Sequence, residues 1–308
     1  MQKQNWPEIA VVGAGAVGCY FGAMLARAGM SVTLIGRAGH VDAIRRDGLR
    51  FLSGEREERV KVAATTDIAA VSGARLVLFC VKSLDTDMAA EAMAPHLSPD
   101  ATILSLQNGV DNIDRIRAKT KNLVIPVLIY AAANVPEPGT VRHTGGGNVV
   151  IGPGHADIAA LFAAANVPVK VSDDIDAELW TKLVMNCAYN AVCALTGTPY
   201  GEMVAMPEIR AVMIEAVDEV VALAKAKGIR LPDDTADAAM RLAEVMPRTM
   251  SSTAQDIAKG RRTEIDHLNG YVAREGARLG VATPVNATLH ALMKLLEAKA
   301  VRTSLAGA

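Results

Sequence analysis

A glycine-spaced turn near the N-terminus constrains this chain more than any other feature. In "VVGAGAVG", Gly13, Gly15 and Gly18 follow a β-rich run, 8–12, and open a helical stretch, 16–29. Within a βαβ unit this spacing binds dinucleotides, because the glycines permit a tight turn, close approach of a pyrophosphate and close helix–strand packing. Amide groups and the dipole at the helix N-terminus also favour phosphate. The residues expected to hold a dinucleotide are Gly13, Ala14, Gly15, Ala16, Val17 and Gly18.

The remaining pattern predicts two domains of different class. Short β-rich runs such as "SVTLI" (31–35), "RLVLFCV" (75–81) and "ATILSL" (101–106) alternate with helical stretches. This alternation predicts an α/β domain with a Rossmann-like, doubly wound sheet. From Ala177 onward the sequence is helical by period and rich in Ala, Leu, Met and Glu. We therefore expect a dinucleotide-binding domain over 1–172 and an all-α domain over 173–308.

Three finer expectations accompany this fold. "LRFL" and "RVKVAA" are predicted as a strand pair joined by the polar loop "SGEREE". "GTVRHTG" and "NVVIG" are predicted as two further strands, and a helix is expected to begin at "RTEID".

The end of the second predicted strand indicates which dinucleotide is bound. NAD enzymes usually carry an acid there, about 20 residues beyond the glycine motif, which accepts from the ribose 2′-hydroxyl. Here the strand ends in Gly36-Arg37, and no acid occurs between Gly18 and Asp42. Because an arginine binds a 2′-phosphate with charge-assisted hydrogen bonds, the sequence favours NADP over NAD. The alternative is that Arg37 is a solvated loop residue.

Polar residues also follow two other predicted strands. Lys82 comes directly after the run 75–81, and Asn108 comes just after the run 101–106. Ligands of open α/β sheets bind at the carboxyl ends of the strands, so we expect both side chains to contact cofactor or substrate. The alternatives are an exposed loop lysine and an ordinary "QNG" turn.

Composition argues against several other partners. The formal net charge is −1 and basic residues cluster only in pairs, so we expect no nucleic acid and no membrane as partner. No run of about 20 apolar residues is present. The four cysteines lie in apolar runs without zinc spacing, which predicts reduced thiols and no metal. Because the apolar run 8–12 leads directly into the glycine motif, we expect no signal peptide and a cytoplasmic protein.

A polar stripe lies on the helix predicted within "ELWTKLVMNCAYNAVCALTG" (178–197). Lys182, Asn186 and Asn190 recur every four residues and therefore spread over only about 80° of an otherwise apolar helix. Such a stripe either faces water or binds a ligand. Two carboxamides suit specific recognition, since solvent-facing stripes more often mix Glu, Lys and Arg, but the pattern alone leaves both interpretations open.

A second polar set lies downstream. Ser252 and Asp256 are spaced i, i+4 in "MSSTAQDIAKG", and Glu264 follows in "RTEID". We expect Glu264 in the first turn of the next helix, where the helix dipole favours a carboxylate. The alternative is a surface helix–turn–helix with routine capping.

Together these motifs resemble the ketopantoate reductase (2-dehydropantoate 2-reductase) family over nearly the whole chain. In order, they are "GAGAVG", "VKS", "QNG", "PGTVRHTG", "ELWTKLVMNCAYN", "SSTAQDI" and "RRTEIDHLNG". The resemblance implies NADPH-dependent reduction of 2-dehydropantoate to (R)-pantoate, in the route to pantothenate and coenzyme A. The expected partner is thus a small 2-oxo acid.

The resemblance also implies a role for each candidate residue. Lys182 matches the lysine that donates a proton to the substrate carbonyl oxygen, and Glu264 matches the acid near it. The implied substrate-binding residues are Asn186, Asn190, Ser252 at the substrate carboxylate, Asp256 and Asn108. The implied cofactor contacts are Lys82, Asn108 at the nicotinamide ribose, and the backbone of Ala133.

Three departures from the family pattern leave the substrate open. Thr253 follows Ser252 where Met is common, Pro126 stands where many members have glycine, and Tyr200 lies near a position that carries asparagine in some members. One alternative is therefore an NADPH-dependent reductase of another 2-oxo acid, or a β-hydroxyacid dehydrogenase. A non-catalytic NADP-binding sensor is a more distant alternative. The sequence also leaves the oligomeric state open, a homodimer being one expectation.

Overall fold

The computed structural model describes residues 6–306, with side chains for residues 6–299, and divides the chain into two compact units. The first unit ends at Ile175 and the second begins at Asp176. The sequence predicts this boundary between residues 172 and 173. None of the helices in the described ranges is long and apolar enough to cross a membrane.

Within the described part of the first unit, ten strands form one sheet. They are β1 (Ile9–Val12), β2 (Val32–Ile35), β3 (Leu49–Ser53), β4 (Arg56–Val60), β5 (Ala63–Thr65), β6 (Leu76–Phe79), β7 (Thr102–Ser105), β8 (Leu123–Asn134), β9 (Thr140–Ile151) and β10 (Val169–Val171). Their order is β4-β3-β9-β8-β7-β6-β1-β2-β5, and β10 pairs with β9.

Strand β1 lies where the winding of the sheet reverses. It pairs in parallel with β2 on one side and with β6 on the other. The parallel run continues to β5 beyond β2, and to β7 and β8 beyond β6. Ligands of such sheets bind at the carboxyl ends of the strands at this switch point. The predicted Rossmann-like, doubly wound sheet is thereby confirmed.

Helices cover both faces of this sheet. They are α1 (Ala16–Arg27), α2 (Ala38–Asp47), α3 (Thr86–Met93), α4 (Asn112–Arg117) and α5 (Ala156–Ala164). Alternate residues of β1 pack into two different apolar clusters, Ile9 and Val11 into one, Ala10 and Val12 into the other. Because side chains alternate across a strand, a strand buried on both faces has to be apolar throughout.

One strand pair differs from the prediction. The loop expected at "SGEREE" is a short turn at Gly54, whose φ is +57°, and most of its charged residues belong to β4. Strand β4 is at the edge of the sheet and all its residues except Val60 are exposed. A charged edge strand resists pairing with other chains, which explains a polar sequence in a β conformation.

The expected break between "GTVRHTG" and "NVVIG" is also absent, because both belong to β9. β9 runs antiparallel to β8, with register shifts between Tyr130 and Ala131 and between Ala132 and Ala133. Gly146 and Gly147 have φ values of +68° and +119°. The glycines thus lie at β-bulges within β9, and a bulge bends a strand without ending it.

The described part of the second unit is helical. Its helices are α6 (Ile175–Thr196), α7 (Tyr200–Ala205), α8 (Pro207–Ala226), α9 (Thr235–Val245), α10 (Ser252–Ala258), α11 (Asn269–Leu279) and α12 (Pro284–Ala306). The helix expected at "RTEID" is instead a 3₁₀ turn, Ile265–His267, and α11 begins only at Asn269. Leu268 separates them, because its φ of −113° and ψ of −106° are not helical.

Candidate active site

The glycine turn follows β1, and two of its glycines are required by packing. Gly13 has a φ of +103°, and a Cβ placed on it would lie 2.6 Å from the backbone nitrogen of Val81. A Cβ on Gly18 would lie 2.9 Å from Cγ1 of Val11 and would overlap the Gly13 carbonyl oxygen. Both positions are therefore closed to any side chain by the protein itself.

Gly15 differs from its neighbours, because a Cβ there would meet nothing within 4 Å. Gly15 is the residue before α1, and no side chain caps this helix. The first amides of α1, those of Ala16 and Val17, thus lie in a turn where helices lack internal acceptors. A space that a Cβ would fill, next to an uncapped helix N-terminus, fits the pyrophosphate of a dinucleotide. Ala14 is tied to β2 through its amide, which donates to the Ile35 carbonyl (2.9 Å).

The end of β2 fits a 2′-phosphate better than a ribose hydroxyl alone. A Cβ on Gly36 would lie 2.7 Å from the Cβ of Ala14, so this position has little room for an acidic side chain. Arg37 precedes α2, and its side chain is 95% exposed. Its Nη2 lies 3.9 Å from Oδ2 of Asp85. An exposed guanidinium at this position is a ready donor to phosphate oxygens.

Lys82 and Asn108 lie in the loops that follow β6 and β7, and a hydrogen-bond network joins these loops. Both residues are half-buried. The carbonyl of Asn108 accepts from Oγ of Ser83 (3.0 Å) and from Nδ2 of Asn112 (2.7 Å). The network therefore fixes the backbone of Asn108 to the residue that follows Lys82.

A buried glutamine extends the same network. Nε2 of Gln107 donates to the Val81 carbonyl (2.9 Å) and to Oγ1 of Thr86 (2.7 Å). Thr86 in turn donates to Oδ1 of Asn112 (2.9 Å). These residues could not be identified from the sequence, because polar residues in and around a "QNG" turn look the same when they are solvated.

Ala133 lies in the irregular part of β8. It is half-buried, it follows a register shift, and it pairs with His143 of β9. The ring of His143 stacks on that of Tyr20 at 4.6 Å between centroids. Bulges are common beside active sites because they redirect one residue without ending the strand.

In the second unit, the polar stripe of α6 is partly to fully buried. Lys182 and Asn186 are half-buried, and Asn190 is only 3% exposed. Around them α6 buries apolar side chains such as Leu183 and Val184. Asn190 is therefore withdrawn from water, whereas Lys182 and Asn186 stay partly exposed.

The electrostatic surroundings of Lys182 suit an acid that acts near neutral pH. Burial lowers the pKa of the Lys182 ammonium to about 8, and the negative charge of Glu264 opposes this shift. Glu264 is half-buried and directly precedes the turn Ile265–His267. An acid is most effective when its pKa lies near the working pH.

The start of α10 is tied to the same stripe. Ser251 caps α10 by accepting from the amide of Ala254 (3.0 Å), and its Oγ donates to the carbonyl of Asn190 (3.3 Å). Ser252 is the exposed first residue of α10, and Asp256 is half-buried one turn later. Ser251 was missed, although a serine directly before a helix is a capping signal.

In chemical terms, the first unit has a cradle for a dinucleotide phosphate, and the second has a lysine ammonium with two carboxamides beside it. Hydride transfer to a carbonyl places negative charge on oxygen, and a nearby ammonium stabilises and protonates that oxygen. The residues present are those that such a reduction needs.

Comparison with known proteins assigns both units to one family. The family profile described as "Ketopantoate reductase PanE/ApbA" matches residues 9–156, and its C-terminal counterpart matches residues 174–297. A 2-dehydropantoate 2-reductase of Halobacterium salinarum is 33% identical over 303 residues, covering 94% of this chain and 99% of its own. That of Caulobacter vibrioides is 34% identical, covering 93% and 98%.

Two solved structures are also similar over nearly the whole chain. A PanE/ApbA family ketopantoate reductase from Ralstonia eutropha JMP134 is 52% identical, with a TM-score of 0.92 and coverage of 95% of this chain and 99% of its own. A D-mandelate dehydrogenase, solved with NADH and anilino(oxo)acetate, is 26% identical, with a TM-score of 0.89 and the same coverage.

Proposed function

Since this chain belongs to the ketopantoate reductase PanE/ApbA family, we propose that it reduces 2-dehydropantoate to (R)-pantoate with NADPH. The observation that carries this proposal is the pair Lys182 and Glu264, because Glu264 holds a negative charge against a desolvated ammonium. The reaction is a hydride and proton addition across a ketone, in the route to pantothenate and coenzyme A.

The chemistry divides between cofactor and protein. When bound, NADPH supplies the hydride that adds to the carbonyl carbon. Lys182 donates the proton that the carbonyl oxygen gains, and its charge stabilises the alkoxide before the proton arrives. Glu264 keeps Lys182 protonated by raising its pKa against the effect of burial.

The remaining candidates bind rather than react. The side chains that we propose for substrate are Asn186, Asn190, Asn108, Ser252 and Asp256. Those that we propose for the cofactor are the turn Gly13 to Gly18, Arg37, Lys82, Asn108 and the backbone of Ala133. The open space at Gly15 supports a dinucleotide, and the exposed guanidinium of Arg37 supports NADP over NAD.

The test is the loss of NADPH absorbance with 2-dehydropantoate, for the parent and for Lys182→Ala. We expect rapid oxidation by the parent and a severe fall in kcat for the variant. Equal rates would remove Lys182 from the mechanism. If the parent is inactive on 2-dehydropantoate but active on another 2-oxo acid, the proposed substrate is wrong although the family assignment stands.

A second candidate is reduction of another 2-oxo acid. The similar fold of a D-mandelate dehydrogenase with a bound oxo acid analogue supports it. Tyr200 and Thr253, two departures from the family pattern, are both buried in the helical unit, and Tyr200 packs on Tyr189 at 4.4 Å between ring centroids. Steady-state kinetics on a panel of 2-oxo acids, including phenylglyoxylate and small aliphatic acids, distinguishes the two candidates.

We further propose that the protein works in the cytoplasm. Its four cysteines, Cys19, Cys80, Cys187 and Cys193, are free thiols. Burial raises the pKa of the Cys19 thiol to about 12, as is usual for a buried and unreactive thiol. Mass spectrometry of the protein with and without reductant tests this, because a disulfide in the isolated protein would contradict it.

A further inference from the structure

The residue before Glu264 is fixed to helix α12 by two short hydrogen bonds. The amide of Thr263 donates to Oε1 of Glu297 (2.7 Å), and the hydroxyl of Thr263 donates to the same oxygen (2.6 Å). Thr263 is 1% exposed, and the side chain of Glu297 is 11% exposed. A carboxylate this buried accepts strong hydrogen bonds, because few water molecules compete for it.

The turn after Glu264 is fixed to the same helix. Oδ1 of Asp266 accepts from Nε2 of His290 (2.7 Å), and Oδ2 accepts from Nζ of Lys294 (2.7 Å). Burial alone would raise the pKa of Asp266, but the bonds from Lys294 and His290 hold it below its ordinary value. Asp266 is thus a charged anchor on the other side of Glu264.

Lys294 joins these two attachments into one cluster. Its Nζ lies 2.7 Å from Asp266 and 3.2 Å from Oε2 of Glu297. The cluster also fits closely against α11, because a Cβ on Gly270 would lie 2.8 Å from the ring of His290. We call Thr263, Asp266, His290, Lys294 and Glu297 the anchor cluster. It holds the chain on both sides of Glu264 from a single helix.

Glu264 itself lies between the two attachment points, and its charge acts on Lys182 of α6. We propose that the anchor cluster is a positioning device, which fixes Glu264 and through it the proton donor Lys182. This inference rests on the proposed function. Glu297 and Asp266 are positioning residues here, since their hydrogen bonds join Thr263 and the turn to α12.

The proposal makes a specific claim about charge. Glu264 is the charged group that opposes the effect of burial on Lys182, whereas Asp266 is faced by Lys294 and His290 of α12. If the turn loosens, Glu264 spends less time near the ammonium. Lys182 then loses its proton at lower pH. This changes the pH dependence of kcat/KM and leaves NADPH binding unaffected.

The experiment compares Glu297→Ala, Glu297→Gln and the control Glu275→Ala. Glu297→Ala removes the acceptor of both Thr263 bonds, while Glu297→Gln keeps an oxygen that can accept them. Glu275 also carries two short ion pairs in the helical unit, with Lys227 (2.6 Å) and Arg278 (2.8 Å). Each variant is measured for kcat/KM against pH, for NADPH binding by fluorescence, and for Tm.

We expect Glu297→Ala to move the alkaline limb of the kcat/KM profile down by about 0.5 to 1 pH unit, part of the shift that a close opposite charge produces. Glu297→Gln should restore most of the parent profile, and Glu275→Ala should leave it unchanged. NADPH binding should be unchanged in all three. A folded Glu297→Ala with the parent profile, or an equal shift in Glu275→Ala, overturns the proposal.

Two further results keep this test separate from that of the proposed function. If Glu297→Ala does not fold, Thr263→Val replaces it. Valine keeps the shape of threonine and removes the hydroxyl, which donates to Glu297 (2.6 Å) and accepts from the amide of Ile265 in the turn (3.3 Å). A parent profile in this variant then overturns the proposal. If Lys182→Ala retains the parent rate, the proposed mechanism itself fails. If Lys182→Ala loses most of its rate but the anchor variants keep the parent pH profile, the positioning role is refuted and the proposed mechanism stands.

Discussion

Glu264, just before a 3₁₀ turn, places its negative charge against the ammonium of Lys182 on helix α6. Burial and charge act in opposite directions on this lysine, and burial is the larger effect, so its pKa falls to about 8. The ammonium is therefore protonated at neutral pH and yet near its transition. This balance is what a proton donor requires.

Removal of the Lys182 amine should abolish most turnover. We expect Lys182→Ala to lower kcat by about 10²- to 10⁴-fold, the usual contribution of a positioned acid. NADPH binding, measured by fluorescence, should be unchanged. The matched control is Lys227→Ala, which removes another lysine paired with a glutamate in the same unit (2.6 Å). A comparable loss in the control would show that the effect is structural.

The pH profile should report the same lysine. Because the protonated form is active, kcat/KM should be level below about pH 8 and should fall by about tenfold per pH unit above it. Glu264→Gln should move this limb to lower pH, because the carboxylate charge raises the pKa of Lys182. A profile that rises through this range, or a limb that Glu264→Gln leaves in place, would contradict the assignment.

Cofactor preference should depend on Arg37. Arg37→Ala should raise the KM for NADPH by about 10- to 100-fold, the factor expected for a few charge-assisted hydrogen bonds, and should leave the KM for NADH nearly unchanged. Asp85→Asn should lower the KM for NADPH, because Asp85 lies 3.9 Å from the guanidinium and repels a phosphate. Arg75→Ala, an exposed arginine paired with Asp100, is the control. Equal effects of Arg37→Ala on both cofactors would contradict a 2′-phosphate site.

The two ends of the glycine motif should respond differently to alanine. Gly15→Ala should fold with the parent Tm but bind NADPH about tenfold more weakly, because its Cβ enters only the open space of the turn. Gly18→Ala should cost about 1–3 kcal/mol of stability through overpacking against Val11 and Gly13. Thermal unfolding and fluorescence titration measure the two effects. A large drop in Tm for Gly15→Ala would mean that the space is not available to a ligand.

The sequence predicts the parts of this fold that depend on local chemistry. The glycine motif, the apolar period of β1 and the spacing of Lys182 and Asn190 are each encoded within a few residues, so the sheet and the stripe could be inferred directly. Bulges and edge strands could not, because a bulged glycine and a loop glycine have the same local sequence. β9, for example, continues through Gly146 and Gly147, where the sequence predicts a break between two strands.

Sequence motifs identify the candidate residues, but they do not identify the residues that hold those candidates in place. Gln107 and Glu297 hold other residues in place through contacts far along the chain, to Thr86 and Thr263 respectively. Pairings of this kind depend on the tertiary fold, and one sequence does not reveal them. The prediction of a helix at "RTEID" was wrong for the same reason, because hydrogen bonds from α12 hold the 3₁₀ turn there.

The network from Gln107 through Thr86 and Asn112 to Ser83 makes the two loops after β6 and β7 a single part. Transfer of the proposed cofactor site to a related scaffold therefore requires both loops and the start of α4 together. A chimera that exchanges one loop alone would leave amide and hydroxyl groups without acceptors in the interior, and it would lose cofactor affinity and folding yield at the same time.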